Sequence, residues 1–172
     1  GDIVSNGYKR DDQGRILIDD NGFPMKESDK TIGNILPDWT GSIGSTLRYK
    51  NLSFYTLVDI RQGGDFISMT DNYAKQAGTS AATLDGREGM IVDGIVESTG
   101  IANNKVVTAE NYYTNIAGPN GIGEAFLYKA SYIKMREMSL GYTFPSAWLR
   151  NLAIRSIKLS VVGRDLFFFK KD

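Results

Sequence analysis

The chain has 172 residues, with 20 basic and 20 acidic side chains and neither histidine nor cysteine. Balanced charge gives no net field to draw it to nucleic acid, and the absence of histidine and cysteine removes the commonest zinc ligands, the usual general base and any disulfide framework. Nineteen glycines and nine tyrosines against four prolines suit many strands and turns better than helices, so the class is mostly β. No run of about 18 apolar residues exists to form a transmembrane helix, but strands that cross a membrane are signalled by alternation and stay open as a reading. The opening GDIVSNGYKRDD lacks the charged and apolar regions of a signal peptide, so an exported protein is expected to begin upstream of it.

Residues 1–38 read as loop with one small hairpin. Within GRILIDDNGF, from Gly14 to Phe23, an alternating run precedes Asn21-Gly22, a strong short hairpin signal. The acidic clusters Asp11-Asp12 and Asp19-Asp20 do not fit a calcium loop. That frame wants an oxygen ligand five residues before its glycine, where Lys9 and Leu17 stand, so both clusters read as solvated turns.

Residues 39–63 read as a hairpin with long arms. Trp39, Gly41, Ile43, Leu47 and Tyr49 share one parity against Thr40, Ser42, Thr46 and Arg48; after a tight turn at Lys50-Asn51, Leu52, Phe54, Val58 and Ile60 oppose Ser53, Tyr55, Asp59 and Arg61. Each arm reaches the roughly 9 to 11 residues of a tilted transmembrane strand. Trp39 and Tyr49 fall at opposite ends of the apolar parity, where aromatic girdles lie.

Residues 64–127 carry no such alternation and are rich in Gly, Asn, Thr and Ser, so they read as a long loop, extracellular in a barrel. A short helix capped by Thr70 or Asp71 is expected within it, running through Ala77 and stopping at Gly78. Residues 128–168 read as a second strand hairpin. Met138, Leu140, Tyr142 and Phe144 oppose Ser139, Gly141 and Thr143; after a turn over 145–153, Ile157, Leu159 and Val161 oppose Ser156, Lys158 and Ser160. Above Arg136-Glu137 the apolar parity flips to Ile133 and Met135. Either a β-bulge inserts one residue there and returns Lys134 and Arg136 to the lumen, or the strand leaves the membrane and its upper half stands as a ribbon in water. The ribbon is the favoured expectation, because the long loops on that side need a support.

The segments YIKMREMSLGYTFP, IKLSVVGRDLF, IGNILPDWTGSI, LRYKNLSFYTLVDIRQGGD, GTSAATLDGRE and VDGIV, in this family's order, closely resemble the C-terminal barrel region of SusC/RagA-type TonB-dependent outer-membrane transporters of Bacteroidota. The resemblance implies antiparallel strands of a large transmembrane β-barrel of roughly 22 strands. It also implies nutrient uptake, of glycan or peptide, across the outer membrane of a Gram-negative bacterium, with a SusD-like lipoprotein as partner and power delivered through TonB. No plug domain, TonB-contacting segment or last strand is recognisable, so the expectation is a part of such a barrel, with outer edges unpaired and no transport by this piece alone.

No cofactor, metal or catalytic residue is expected. Carboxylate pairs such as Asp71 with Asp85, or Glu88 with Asp93, have nothing to bring them together as glycosidase acids, and Glu137 beside Arg136 reads as a paired charge. The alternative function is a secreted or surface glycan-binding, adhesin-like β-module. Under either reading, Tyr73, Tyr112, Tyr113, Phe126 and Tyr128, in or beside the long loop, are the candidates for contact with substrate, since an aromatic ring offers an apolar platform for a sugar face.

Overall fold

The computed structural model describes residues 1–150 and 154–172. In chain order its strands and helices are β1 (Asp2–Tyr8), β2 (Leu17–Ile18), β3 (Lys26–Asn34), β4 (Trp39–Tyr49), β5 (Leu52–Gln62), β6 (Asp65–Ile67) and α1 (Met69–Gln76). There follow β7 (Met90–Ile91), β8 (Ile95–Val96), β9 (Val106–Val107), α2 (Ala109–Ile116), β10 (Leu127–Lys129), β11 (Tyr132–Thr143) and β12 (Lys158–Lys171). They divide into two units, Gly1–Leu36 with Asp65–Tyr128, and Pro37–Gly64 with Lys129–Asp172. The fold is mostly antiparallel β-sheet, and among the described residues no helix is long and apolar enough to cross a membrane.

The second unit is a four-stranded antiparallel sheet in the order β12-β11-β5-β4, open at both edges among the described residues. β4 and β5 are joined by the two residues Lys50-Asn51, with Lys50 in the left-handed region at φ 52°. Directly opposed residues of an antiparallel ladder share a face, and the register assembles the apolar parities into continuous rows. Leu47, Phe54, Leu140 and Val161 form one row, and Tyr49, Leu52, Tyr142 and Leu159 the next. The opposite face carries rows such as Thr46, Tyr55, Ser139 and Val162, or Arg48, Ser53, Gly141 and Ser160. Ile43, Leu47, Leu140, Leu159 and Val161 are each more than half exposed, so within this chain the apolar face is uncovered.

At the phase change β11 carries a bulge, the first of the two expected arrangements. Both ladders of β11 shift between Met135 and Glu137, with Arg136 as the inserted residue against β5. Beyond it, Met135 pairs with Val58 and Ile133 with Ile60, so the apolar parity continues on the same face of the sheet. The insertion turns Lys134 and Arg136 to the polar face together. There Arg136 lies 3.7 Å from Asp59 and 3.6 Å from Asp165, Lys134 is 2.8 Å from Asp165, and Arg164 is 2.9 Å from Glu137. β12 answers the bulge with its own irregularity: Asp165 and Leu166 stand opposite Arg136, and Asp165 adopts φ 49°. A β-bulge is cheaper here than pointing two cations along the apolar face, because unpaired charges among apolar groups cost far more than one lost ladder hydrogen bond. The connection from β11 contains a short turn of 3-10 helix at Ser146–Leu149; the expected turn over 145–153 lies partly outside the described residues.

The first unit is not the irregular loop expected for 64–127. That segment folds with residues 1–36 around two apolar clusters. One holds Ile116, Ala117, Ile122 and Phe126, with Tyr8, Ile67, Tyr112 and Tyr113 packed against it; the other holds Ile18, Val92 and Val107, with Ile16, Phe23, Met90 and Tyr112. β1 pairs with β3, while β2, from the expected small hairpin, pairs in parallel with β8. The turn after β2 is wider than a two-residue Asn-Gly turn, because the Asp19 carboxylate accepts the backbone N–H of Asn21 and of Phe23, both at 2.9 Å, and holds four residues in a loop. Asp11 does the same for Gln13 and Arg15, so both acidic clusters serve their own backbones. Helix α1 is capped two residues earlier than Thr70: Ser68 accepts from the Asp71 N–H at 3.2 Å. The stop is where it was expected, with Gly78 at φ 68°. Gly121 has no room for a side chain, since a Cβ would sit 2.2 Å from the Ile116 carbonyl oxygen, the acceptor for the Ile122 N–H that closes the chain back over α2.

Candidate substrate-contact surface

The five aromatic candidates separate by burial. Phe126 is 0% exposed and forms the floor of the first cluster, so it cannot touch a substrate; its place in a polar stretch hid a core residue. Tyr112 bridges the two clusters, its ring 5.1 Å from that of Tyr113 in an edge-on arrangement. Burial, followed by its neighbour Tyr112, pushes the Tyr8 hydroxyl far above the ordinary tyrosine range, and burial raises Tyr112 too, so both stay neutral. Tyr113 is half-buried and donates to the Ala82 carbonyl at 3.3 Å.

Two of the five lie at the surface. Tyr73 is 49% exposed on α1, one helical turn after exposed Met69. Tyr128 is 38% exposed, its ring centroid 5.9 Å from that of Phe66, itself 42% exposed. The Tyr128 hydroxyl donates to Asp71 at 2.6 Å, and Asp71 in turn pairs with Lys75 at 2.8 Å. Partial burial works to raise the Asp71 carboxyl, but the hydrogen bonds from Lys75 and Tyr128 outweigh it and hold the group below its ordinary value. Tyr128 is thus oriented by a charged partner while its ring keeps an open flank. The structure does not gather the five into one platform; it brings Tyr112 and Tyr113 into the packed interior around Phe126.

Sequence reasoning missed helix α2 and the cleft it makes with α1. Thr108, which caps α2 by accepting from Asn111 at 3.3 Å, was the available signal, with acidic Glu110 in the first turn after it. In the same unit Glu124 ties β1 and β3 to the chain after α2. It accepts from Arg10 at 2.6 Å and from the Tyr8 N–H at 2.8 Å, with Lys30 at 3.9 Å. Partial burial acts to raise its carboxyl, but Arg10, the Tyr8 amide and Lys30 together bring it below the ordinary range. Among the described residues no three acidic side chains are placed to hold a metal ion.

The second unit, a long-stranded antiparallel sheet with one mostly apolar and one polar face, has the pattern of barrel wall, and the first is a separately cored unit with exposed aromatics. The comparisons with known proteins agree. No family model matches the chain. It is 25% identical over 156 residues, 88% of its length, to TonB-dependent receptor P3 of Formosa agariphila. In fold it is similar to a chain of the RagAB peptide importer in its closed-closed state, with a TM-score of 0.56 over 99% of its residues at 16% identity. The chain spans 14% of that receptor and 20% of that importer chain. The resemblance to TonB-dependent receptors is therefore supported in sequence and the likeness to the RagAB importer chain in fold, and among the described residues the sheet is barrel-type and unclosed.

Proposed function

We propose that this chain is part of a TonB-dependent importer in the outer membrane of a Gram-negative bacterium, working with a SusD-like lipoprotein to take up glycan or peptide. The observation that carries the reading is the mostly apolar face of the four-stranded sheet, kept in phase through the Arg136 bulge and crossed by one row of Ser45, Thr56, Met138 and Gly163. A soluble module would cover such a face with a second layer, and within this chain it stays exposed. Trp39 and Tyr49 mark the two ends of β4. Ten residues at about 3.4 Å, tilted by about 40°, separate them by about 26 Å along the membrane normal, close to the apolar band of a barrel. Aromatics gather at both rims, with Tyr142, Phe144 and Trp148 in contact at one and Phe167 and Phe169 at the other.

On this reading Ile43, Leu47, Phe54, Val58, Leu140, Tyr142 and Leu159 face lipid, the polar rows face the lumen, and the first unit stands outside the cell and contributes to contact with substrate or lipoprotein through Tyr73 and Tyr128. Uptake measured in cells producing the parent protein tests it. Tyr73→Ala with Tyr128→Ala should lower uptake while leaving the amount of protein in the outer membrane unchanged. Uptake at the wild-type level would remove these rings from the transport path, and a protein recovered outside the outer membrane would restore the adhesin-like module.

A further inference from the structure

Between the C-terminal end of α1 and the first turns of α2 lies a cleft of about 470 Å³, lined among others by Gln76, Gly78, Arg87, Thr108, Glu110 and Tyr113. That volume is within the usual range of small-molecule sites. Lys75 also borders it, but its ammonium is committed to Asp71 at 2.8 Å and stands 5.5 Å from the centre of the Phe126 ring. Two charges remain uncommitted. The Arg87 guanidinium uses one N–H on the Thr83 carbonyl at 3.4 Å, and neither Arg87 nor Glu110 takes part in an ion pair among the described residues.

Free charges of opposite sign around one cleft match a ligand that carries both. A neutral sugar settling there would hydrogen-bond to Arg87 and Glu110 but bring no opposite charge to offset the water those two ions lose. A peptide with free ends brings a carboxylate that a guanidinium binds in a two-pronged fashion and an ammonium that a carboxylate accepts, and the Tyr113 ring offers an apolar wall for a side chain. We propose that the α1–α2 cleft is a binding site for short zwitterionic oligopeptides, with Arg87 taking the carboxylate end, Glu110 the ammonium end and Tyr113 the side chain between. The proposal rests on the importer reading and narrows its substrate class to peptide.

Titration calorimetry on the detergent-solubilised protein as the cell makes it, with Ala-Tyr-Ala, its C-amidated form, its N-acetylated form and maltotriose as probes, tests it. Ala-Tyr-Ala should bind saturably and maltotriose should not. Arg87→Gln and C-amidation should each weaken binding by about tenfold or more, and together by no more than either alone, because both remove the same charged hydrogen bonds. Glu110→Gln and N-acetylation should behave as a second such pair. The blocked peptides are read on unaltered protein, so a variant that misfolds does not remove the test. No saturable binding of Ala-Tyr-Ala, equal binding of free and blocked peptides, or preference for maltotriose overturns the proposal. Cell uptake is measured alongside: import that persists while this binding test fails sinks the cleft alone, whereas no import by any variant sinks the importer reading.

Discussion

Side-chain identity decides more in the first unit than its composition suggests. Phe126 and Tyr112 sit in polar stretches, where an aromatic reads the same whether it is displayed or buried; only the partners that arrive from residues 8, 18, 67, 92 and 107 settle the matter. Phe126→Ala should destabilise the unit by about 3 to 5 kcal/mol, read by loss of hydrogen-exchange protection in α2, while Tyr73→Ala, at the surface, should leave that protection unchanged. Glu124 gives the same unit a pH dependence. Its carboxyl titrates lower when folded than its ordinary 4.5, so its contribution is complete above that value and disappears as pH falls through the lowered one. Asp71 adds a similar loss starting from 3.8. Acidification should therefore lower the protection factor at the Tyr8 amide, and Glu124→Gln should make that amide insensitive to pH in the same window. Protection that holds constant in acid would show that the carboxylate does not clasp β1.

At the level of elements, the two long hairpins were legible because alternation is a local signal. β4 and β5 lie where the parity of Trp39 to Gln62 puts them, and the tight turn at Lys50-Asn51 needs no distant residue to define it. The break in parity at Arg136 was legible too, but its resolution was not, since a bulge and an exit from the membrane leave the same trace in one strand. The deciding facts are on other strands: Asp59 and Asp165 supply the carboxylates that make the polar face the cheaper place for Lys134 and Arg136. Helices α1 and α2 have eight residues each, and β2, β7, β8 and β9 have two, too short for any periodicity to rise above chance. Deleting Arg136 tests the bulge. Without the insertion, Met135 and Ile133 are forced to the polar face or Met138 and Leu140 leave the apolar one, so the variant should lose assembled, heat-resistant barrel, while Arg136→Ala, which keeps the inserted residue, should retain most of it.

Across the whole molecule, the segment between the two hairpins is half of a folded unit. Residues 81–123 supply Val92, Val107, Ile116 and Ile122, so removing them also strips the partners of Ile18 and Tyr8. Deletion of 81–123 should expose residues 1–36 to protease as well as lowering uptake, whereas a mere connector would leave them protected. Everything said of function depends on the sheet having one side toward lipid and the other toward a lumen. The most direct test places spin labels singly at 133, 135, 138 and 140 and at 134, 136, 137 and 139 in the intact protein in bilayers, and reads access to oxygen and to a water-soluble quencher. The account predicts oxygen access for the first set, unbroken across the bulge, and water access for the second; equal access for both sets, or a switch of phase between 135 and 138, would contradict it.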